Sequence, residues 1–255
     1  MMTVPHTPSF RVDNQQALVT GGSRGIGFAA AIALAEAGAK VWIAARDSQQ
    51  LQLAVTLAAE QNIQLHPVVL DITDSHAVAT TLAELPSFSI LVNSAGLARH
   101  QPFVEVSEEN YDAVMALNLR ATFLISQHVA RSMLAKGVEG SIIHISSQMG
   151  HVGGPNRSVY CASKFALEGL TKAMALELGE AGIRVNTLCP TFIETELSHA
   201  SLADPAFKRY VMDNIKLRRL GIIEDIMGPV VFLASPAAAL ITGSSLMVDG
   251  GWTAT

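Results

Sequence analysis

Short apolar runs alternate with helix-like stretches along most of the chain. The apolar runs lack polar alternation, which is typical of strands buried on both faces. They predict strands at 17–19, 41–45, 65–70, 90–92, 141–145, 183–188 and 245–248. Helical patterns between them predict helices at 25–37, 48–61, 74–85, 108–136, 159–180 and 225–234. The segment 190–220 has no clean period and is predicted to be irregular and partly helical.

Strands separated by helices imply right-handed crossovers and a parallel sheet. We therefore predict an α/β fold, a doubly wound, Rossmann-like sheet of about seven strands with helices on both faces. Such sheets bind ligands beyond the carboxyl ends of their strands. No linker or repeat divides residues 1–255, so one domain is predicted. We interpret 190–220 as a substrate loop or lid, or alternatively as a surface helical pair at a subunit contact.

The composition favours a large buried core and argues against several classes of binding partner. Hydrophobic residues make up 49% of the 255 residues and charged residues 15%, which suits a large core and a subunit interface. The net charge of −5 without a long basic run argues against nucleic-acid binding. Two cysteines and no Cys/His cluster with ligand spacing predict neither disulfides nor a metal site.

Two segments bear on location. Residues 1–11 lack a hydrophobic signal region, so we expect a cytoplasmic protein. The stretch 226–248 is uncharged and long enough to span a bilayer. Its glycines, prolines and serines favour a buried helix, a turn and a final strand instead, so no membrane partner is predicted.

A glycine-rich turn follows the first predicted strand and opens the first helix. Residues 20–27 read TGGSRGIG. Glycines let the backbone approach a pyrophosphate, and the helix N-terminus presents free N–H groups to it. The alternatives are a hydrolase Gly-x-Ser-x-Gly elbow and a tight turn without a ligand. The turn predicts the cofactor-binding residues Gly21, Ser23, Arg24, Gly25, Ile26 and Gly27.

With the motifs that follow this turn, the chain resembles the short-chain dehydrogenase/reductase family in its compact single-domain branch. The resemblance runs from about residue 11 to 251. It implies a NAD(P)-dependent oxidoreductase that acts on CH–OH groups, and a homotetramer. The supporting motifs are, in order, Asp71-Ile72, Asn93-Ser94-Ala95-Gly96, Asn118, Ser146-Ser147, Tyr160-x-x-x-Lys164 and Pro190-x-x-x-x-Thr195.

Tyr160 and Lys164 lie four residues apart on a predicted helix and share one face. Hydride transfer to a carbonyl leaves an alkoxide that needs a proton. A free tyrosine has a pKa of about 10, and a nearby ammonium lowers it towards the working pH. The pair therefore suits a general acid/base, although the same spacing also occurs as an ordinary amphipathic helix edge.

The resemblance adds roles for the neighbouring motif residues. Lys164 is implied to bind the nicotinamide ribose, and Asn118 to hold a water-linked proton relay. Ser147 follows a predicted strand, and its hydroxyl is suited to donate to the substrate oxygen. Ser146 is its neighbour, and we expect only one of the two to point into the site. The predicted catalytic residues are Asn118, Ser147, Tyr160 and Lys164.

Further cofactor contacts are implied by the same resemblance. Asp71 and Ile72 correspond to adenine contacts. Ser94 and Thr191 depart from the family's usual Asn and Gly, which weakens the match locally. The remaining implied contacts are Asn93, Ala95, Gly96, Tyr160, Lys164, Pro190, Ile193 and Thr195.

The end of the second strand bears on the choice of nicotinamide. NAD sites place a carboxylate there for the ribose 2′-hydroxyl, and NADP sites place an arginine for the 2′-phosphate. The family's acidic position aligns with Ala45, and Arg46 follows it. With Arg24, this favours NADP(H) over NAD(H). Asp47 has the spacing of a ribose carboxylate, but we interpret it as the N-cap of the next helix.

The substrate pocket is expected to combine polar and apolar side chains. The polar side chains His151, Asn156, Arg157 and Glu194 suit a polyol, keto-sugar or keto-acid. The apolar side chains Met149, Phe192 and Leu197 would instead suit an acyl chain or ring. We favour a small polar ketone, keto-sugar or polyol. The alternatives are a 3-oxoacyl-thioester reductase and a catalytically silent nucleotide-binding regulator. The predicted substrate residues are Ser147, Met149, His151, Gly153, Asn156, Phe192 and Leu197.

Overall fold

The computed structural model describes residues 3–195, 198 and 202–254. Seven strands form one sheet in the order β3-β2-β1-β4-β5-β6-β7, and every neighbouring pair is parallel. The strands are β1 Gln16–Thr20, β2 Lys40–Ala45, β3 Leu65–Val69, β4 Ile90–Asn93, β5 Gly140–Ile145, β6 Ile183–Pro190 and β7 Ser245–Val248. This order confirms the predicted doubly wound fold, and its direction of winding reverses between β1 and β4.

Helices cover both faces of the sheet. They are α1 Gly25–Glu36, α2 Ser48–Ala59, α3 Ser75–Glu84, α4 Glu108–Met115, α5 Thr122–Lys136, α6 Ser158–Leu178, α7 Pro205–Asn214 and α8 Glu224–Ala234. One core lies under α1, α2 and α8, and a second lies against α3 and α5 on the other face. Val19 belongs to the first core and Leu18 to the second. Successive strand residues thus bury themselves on opposite faces, which explains the unbroken apolar runs.

The predicted helix 108–136 is not uniformly α-helical. Between α4 and α5 the chain forms a π-helical segment, Ala116–Ala121, before the α-helix resumes. Periodicity alone did not predict this change, because a π-turn shifts the buried face by only one residue. The segment contains Asn118, so the departure from the prediction falls on a candidate catalytic residue.

The segment 190–220 contains one described helix, α7. Asp204 caps it by accepting a hydrogen bond from the N–H of Ala206 at 3.0 Å, and Pro205 occupies the first turn. The segment packs through a small apolar cluster formed by Val211, Ile215, Leu220 and Trp252. Residues 205–220 therefore lie against the body of the protein.

The uncharged stretch near the C-terminus has the predicted pieces. It contains α8, a 3₁₀ turn at Pro236–Ala238 and β7. In the part of the chain that the structure describes, no helix combines the length and apolar character needed to cross a membrane.

Candidate functional site

The glycine turn connects the carboxyl end of β1 to the start of α1. Gly21 and Gly25 have φ of +65° and +54°, a region that glycine tolerates best. A Cβ on Gly27 would collide with the carbonyl oxygen of Gly21, so the turn can close only around glycine. Arg24 occupies the N-cap position and cannot accept a hydrogen bond, so its side chain leaves the first N–H groups of α1 available to an anion. The cradle therefore fits a pyrophosphate.

The turn after β4 packs directly against this cradle. A Cβ on Gly21 would lie 2.8 Å from the Cα of Ala95. The hydroxyl of Thr20 accepts hydrogen bonds from the N–H groups of Ser94 and Ala95 at 3.2 and 3.3 Å. The two turns thus meet where the direction of winding reverses, which is where such sheets bind nucleotides.

Asn93 turns its amide into the protein interior. Its Nδ2 donates to the hydroxyl of Ser126 at 2.9 Å and lies 3.0 Å from Nδ1 of His144. Ile72 is also buried, in the second core. The predicted cofactor contacts of Asn93 and Ile72 would therefore rely chiefly on backbone atoms.

Arg46 and Asp71 face each other across the ends of β2 and β3. Nη1 of Arg46 lies 3.8 Å from a carboxylate oxygen of Asp71, and both side chains are substantially exposed. Burial tends to raise the pKa of Asp71, but hydrogen bonds from Thr73 and the positive charge of Arg46 outweigh it and lower the pKa. Asp47 accepts hydrogen bonds from the N–H groups of Gln49 and Gln50, which confirms that it caps α2.

The chain after β6 lies over the glycine turn. A Cβ on Gly25 would lie 3.8 Å from the side-chain methyl of Thr195. Pro190 ends β6, and Ile193 is buried and bridges to Gly221. Thr195 thus closes one side of the cleft, whereas any nicotinamide contact by Ile193 would use its backbone.

Tyr160 and Lys164 lie on the same face of α6, as their spacing predicts. The ammonium of Lys164 lies 5.6 Å from the centre of the Tyr160 ring and donates to the carbonyl of Ile145 at 2.8 Å. Burial lowers the pKa of Lys164 to about 8, and interactions with Cys189 and Glu168 oppose that shift. The lysine is thus held by the last residue of β5.

The pKa of Tyr160 departs from the sequence-based expectation. Burial raises it, and hydrogen bonding with Ser147 only partly offsets this effect. The expected lowering by Lys164 was wrong for this state of the protein. The ammonium is held by the Ile145 carbonyl, whereas desolvation acts on the phenol directly.

Ser147 and Ser146 point to different surroundings. Ser147 donates to Oε1 of Gln148 at 2.7 Å and accepts from the N–H of Met149 at 3.1 Å. It also interacts with the Tyr160 hydroxyl. Ser146 lies near the carboxylate of Glu168 instead. Only Ser147 is therefore associated with Tyr160, in agreement with the expectation that one serine faces the site.

Asn118 holds the loop after β4 against α6. Its Oδ1 accepts from the N–H of Leu97 at 2.8 Å, and its Nδ2 donates to the Leu97 carbonyl at 2.9 Å and to Ser163 at 3.1 Å. The π-helical segment places this amide beside both elements. All four predicted catalytic residues thus lie at or near one end of the sheet.

The predicted substrate residues are distributed unevenly. Gly153 and Asn156 lie on an exposed loop, whereas Met149 is 2% exposed and can form only the wall behind the site. Phe192 stacks on Trp252 with ring centres 5.8 Å apart. Leu197 lies outside the described residues.

A buried polar network lies behind the serine pair. Nε2 of His151 lies 3.6 Å from both Glu168 and Cys189, and the Cys189 sulfur lies 3.4 Å from Glu168. Glu168 also accepts hydrogen bonds from Thr187 and Ser245. The potential metal-ligand atoms of His151, Glu168 and Cys189 lie within 4.8 Å of one another. The sequence did not predict this cluster, because the three residues are far apart along the chain.

His100 was not predicted as a site residue. Its ring centre lies 6.4 Å from that of Tyr160 in an edge-to-face arrangement. Partial burial and the positive charge of Arg157 lower its pKa to about 4, so it is neutral near pH 7. Its position in the loop after β4 was the available signal, because such loops surround the ligand edge of the sheet.

Comparison with known proteins agrees with this geometry. A family model described as enoyl-(acyl carrier protein) reductase matches residues 21–253. L-Xylulose reductase from Bos taurus is 39% identical over 245 residues, which cover 96% of this chain and 99% of the relative. D-Erythrulose reductase from Gallus gallus is 38% identical over 245 residues, covering 96% and 98% of the two chains.

A solved structure extends the similarity to three dimensions. Gluconate 5-dehydrogenase from Burkholderia cenocepacia J2315, in complex with NADP and tartrate, has a TM-score of 0.92 and 34% sequence identity. The match covers 96% of this chain and 98% of that one. Strand order, winding and glycine turn define a dinucleotide-binding α/β protein. The chain belongs to the short-chain dehydrogenase/reductase family and is an oxidoreductase acting on CH–OH groups.

Proposed function

We propose that this protein is an NADP(H)-dependent oxidoreductase that interconverts a ketone and a secondary alcohol, with Tyr160 as general acid/base. Its substrate is a small polar ketone, keto-sugar or polyol. The observation that carries the proposal is the grouping of Tyr160, Ser147 and Lys164 beside the carboxyl end of β5. Like the glycine cradle, the grouping lies at the carboxyl ends of the strands, so a nucleotide and a substrate can meet there.

Tyr160 and Ser147 have different roles at the carbonyl group of the substrate. Bound NADPH supplies the hydride. The Tyr160 hydroxyl supplies the proton that the developing alkoxide requires. Because burial raises the pKa of Tyr160, the hydroxyl is protonated at neutral pH and ready to donate. Ser147 stabilises the negative oxygen by exchanging its bond to Gln148 for one to the substrate.

Lys164 and Asn118 support this proton donor. The ammonium of Lys164, held at the Ile145 carbonyl, is assigned to the nicotinamide ribose, as the family resemblance implies. Asn118 keeps the loop after β4 in register with α6 through Leu97 and Ser163. We assign Asn118 to the positioning of this loop and to the proton relay that family resemblance implies.

The preference for NADP(H) rests on Arg46 and Arg24. Arg46 is largely exposed at the end of β2, where the ribose 2′-phosphate of NADP is expected. Its pair with Asp71 is long and exposed, and such pairs contribute little, so a phosphate can displace it. Asp47 is engaged in capping α2 and is a poor candidate for a ribose carboxylate. The NADP in the Burkholderia structure supports the same preference.

The substrate class is supported by the named activities of the relatives. Xylulose and erythrulose are small polyhydroxylated ketones. The polar side chains of His151 and Asn156, near the end of β5 and the start of α6, suit such molecules. The description of the matching family model keeps the acyl-thioester alternative open as a second candidate.

A rate assay with the purified protein separates these alternatives. NADPH and NADH are each offered with L-xylulose, D-erythrulose and an acetoacetyl thioester. Efficient NADPH-dependent reduction of the ketoses is the expected result. Faster reduction of the thioester would favour the alternative. Tight NADPH binding without turnover of any ketone would indicate a catalytically silent nucleotide-binding regulator.

We further propose a homo-oligomer, a tetramer by family resemblance, built on the outer faces of α5 and α6. Phe123, Leu134, Phe165 and Leu176 are exposed on these two helices. Large apolar side chains on long helices suit a buried subunit interface. Sedimentation analysis tests this, and a monomer at micromolar concentration would oppose it. The cytoplasmic location and the single domain with a 190–220 lid stay predictions.

A further inference from the structure

Arg157 is a buried arginine immediately before the catalytic helix α6. It is 6% exposed and precedes Tyr160 by three residues. Its guanidinium carbon lies 4.5 Å from the ring centre of Phe207 and 5.8 Å from that of Phe192. These aromatic rings favour a cation and leave the edge of the guanidinium plane for hydrogen bonding.

The hydrogen bonding of this side chain is incomplete. Nη1 of Arg157 donates to the carbonyl of Pro155 at 2.9 Å. A guanidinium has five N–H donors, so this one acceptor leaves most of them without a partner among the described side chains and carbonyls. Within residues 3–195, 198 and 202–254, no carboxylate forms an ion pair with Arg157.

Two exposed arginines of the same chain, by comparison, pair with carboxylates. Arg219 contacts Asp225 through two hydrogen bonds of 2.6 and 2.8 Å on the surface. Arg218 contacts Asp213 at 3.2 Å, again on the surface. A buried charge without a counterion costs far more than an exposed one. The described part of the chain therefore has a buried cation whose natural partner is an anion.

The charge of Arg157 acts on the catalytic site itself. It is among the influences that lower the pKa of Tyr160, and it helps to lower the pKa of His100. The groups that favour its own charged form are Cys161, Tyr160 and Tyr210, a thiol and two phenols, and no carboxylate is among them. The cation lies about one helical turn from the proton donor along α6.

We propose that Arg157 is the carboxylate-binding residue of the substrate pocket and that the substrate is a polyhydroxylated keto- or hydroxy-acid. A guanidinium binds a carboxylate through two parallel charge-assisted hydrogen bonds. With the carboxylate at Arg157 and the reacting carbon at Tyr160, the acid needs several carbons between the two groups. This assignment rests on the proposed function, because it names the substrate class of that same site.

The test compares two substrates that differ mainly in charge. Reduction of 5-keto-D-gluconate and of the neutral ketose D-fructose is measured with NADPH. The wild type is expected to prefer the acid. Arg157→Gln is expected to lower kcat/KM for the acid roughly 10- to 150-fold, the loss expected for hydrogen bonds to a charged group. For the neutral ketose we expect a smaller loss, because it has no carboxylate for the guanidinium to bind, so the preference for the acid falls.

A matched variant controls for net charge. Arg209 is exposed on α7, and Arg209→Gln removes the same charge. It is expected to leave the preference for the acid unchanged. Equal losses for both substrates in Arg157→Gln, or an unchanged preference, would overturn the assignment.

A second measurement needs no variant and covers the case in which Arg157→Gln does not fold. Gluconate and gluconamide are compared as inhibitors of the wild-type protein. The acid is expected to bind at least tenfold more tightly, a difference of about 1.4 kcal/mol. Equal inhibition would refute carboxylate recognition. Reduction of the ketose with no preference for acids would leave the proposed function standing, whereas absence of all turnover would overturn that function as well.

Discussion

The amide of Asn118 binds both backbone groups of Leu97, accepting from its N–H at 2.8 Å and donating to its carbonyl at 2.9 Å. This reciprocal pair fastens the loop after β4 to the π-helical segment between α4 and α5. The loop leads from the nucleotide side of the sheet to His100 beside Tyr160. One side chain therefore connects the cofactor end of the site to its catalytic end.

Replacing this amide tests its positioning role. Asn118→Leu retains side-chain volume but leaves both groups of Leu97 unmatched. We expect a loss of about 1–3 kcal/mol in the free energy of unfolding and a lower kcat. Ser163→Ala removes the third hydrogen bond of Asn118 and the bond that Ser163 donates to the Tyr160 carbonyl, but keeps both bonds to Leu97, and is expected to cost less. Denaturant unfolding checks both, and equal stability of Asn118→Leu and wild type would contradict the account.

Gly27 tests the cradle. An alanine there would bring its Cβ against the carbonyl oxygen of Gly21 and force the turn away from α1. We expect Gly27→Ala to weaken NADPH binding at least tenfold, about 1.4 kcal/mol. In Gly228→Ala the new Cβ meets no atom within 4 Å, so binding is expected to stay unchanged. Fluorescence titration with NADPH measures both, and equal affinities would argue against the cradle.

Arg46 tests the choice of cofactor. Loss of a charge-assisted contact to the 2′-phosphate is expected to raise the KM for NADPH roughly 10- to 150-fold in Arg46→Ala. The KM for NADH should change little. Asp47→Ala removes the cap of α2 and is expected to cost about 1 kcal/mol of stability without altering cofactor preference. Similar effects of Arg46→Ala on both cofactors would refute the assignment.

The charges of Lys164 and Glu168 predict how kcat/KM depends on pH. Burial lowers the pKa of Lys164 to about 8, whereas the raised pKa of Tyr160 keeps that hydroxyl protonated over the same range. We therefore expect kcat/KM for ketone reduction to fall above about pH 8, as the ammonium loses its proton.

The charge of Glu168 determines the direction in which the alkaline fall in kcat/KM should move when this residue is replaced. The carboxylate favours the ammonium form of Lys164, so Glu168→Gln lowers the pKa of the lysine further. The alkaline fall in kcat/KM should move to lower pH. Glu177→Gln, on the exposed face of α6, should not move it. A fall that stays in place or moves to higher pH in Glu168→Gln would contradict this coupling.

Much of the fold was predictable because most strands are apolar segments bounded by polar residues or glycine. All seven predicted strands are present, with ends differing by at most two residues. The π-helical segment at Asn118 was not predictable from the local pattern, and the contacts that Asn118 makes there are with Leu97 and Ser163. Those contacts join residues that are 21 and 45 positions apart.

The site was predictable in its motif residues and not in its electrostatics. The spacing of Tyr160 and Lys164 correctly placed them on one face of a helix. The sign of the Tyr160 pKa shift depends on burial, which raises the pKa more than the hydrogen bond with Ser147 lowers it. The lack of a carboxylate partner for Arg157 among the described residues likewise depends on which side chains the fold brings near it.

Tyr160→Phe tests the central claim most directly, because it removes one hydroxyl and leaves the ring in place. The rate of NADPH oxidation in a single turnover is measured by stopped flow, with the NADPH dissociation constant measured alongside it. We predict a rate lower by roughly 100- to 10,000-fold, the contribution of general acid catalysis, with the dissociation constant nearly unchanged. A rate close to that of the wild type would show that Tyr160 is not the proton donor.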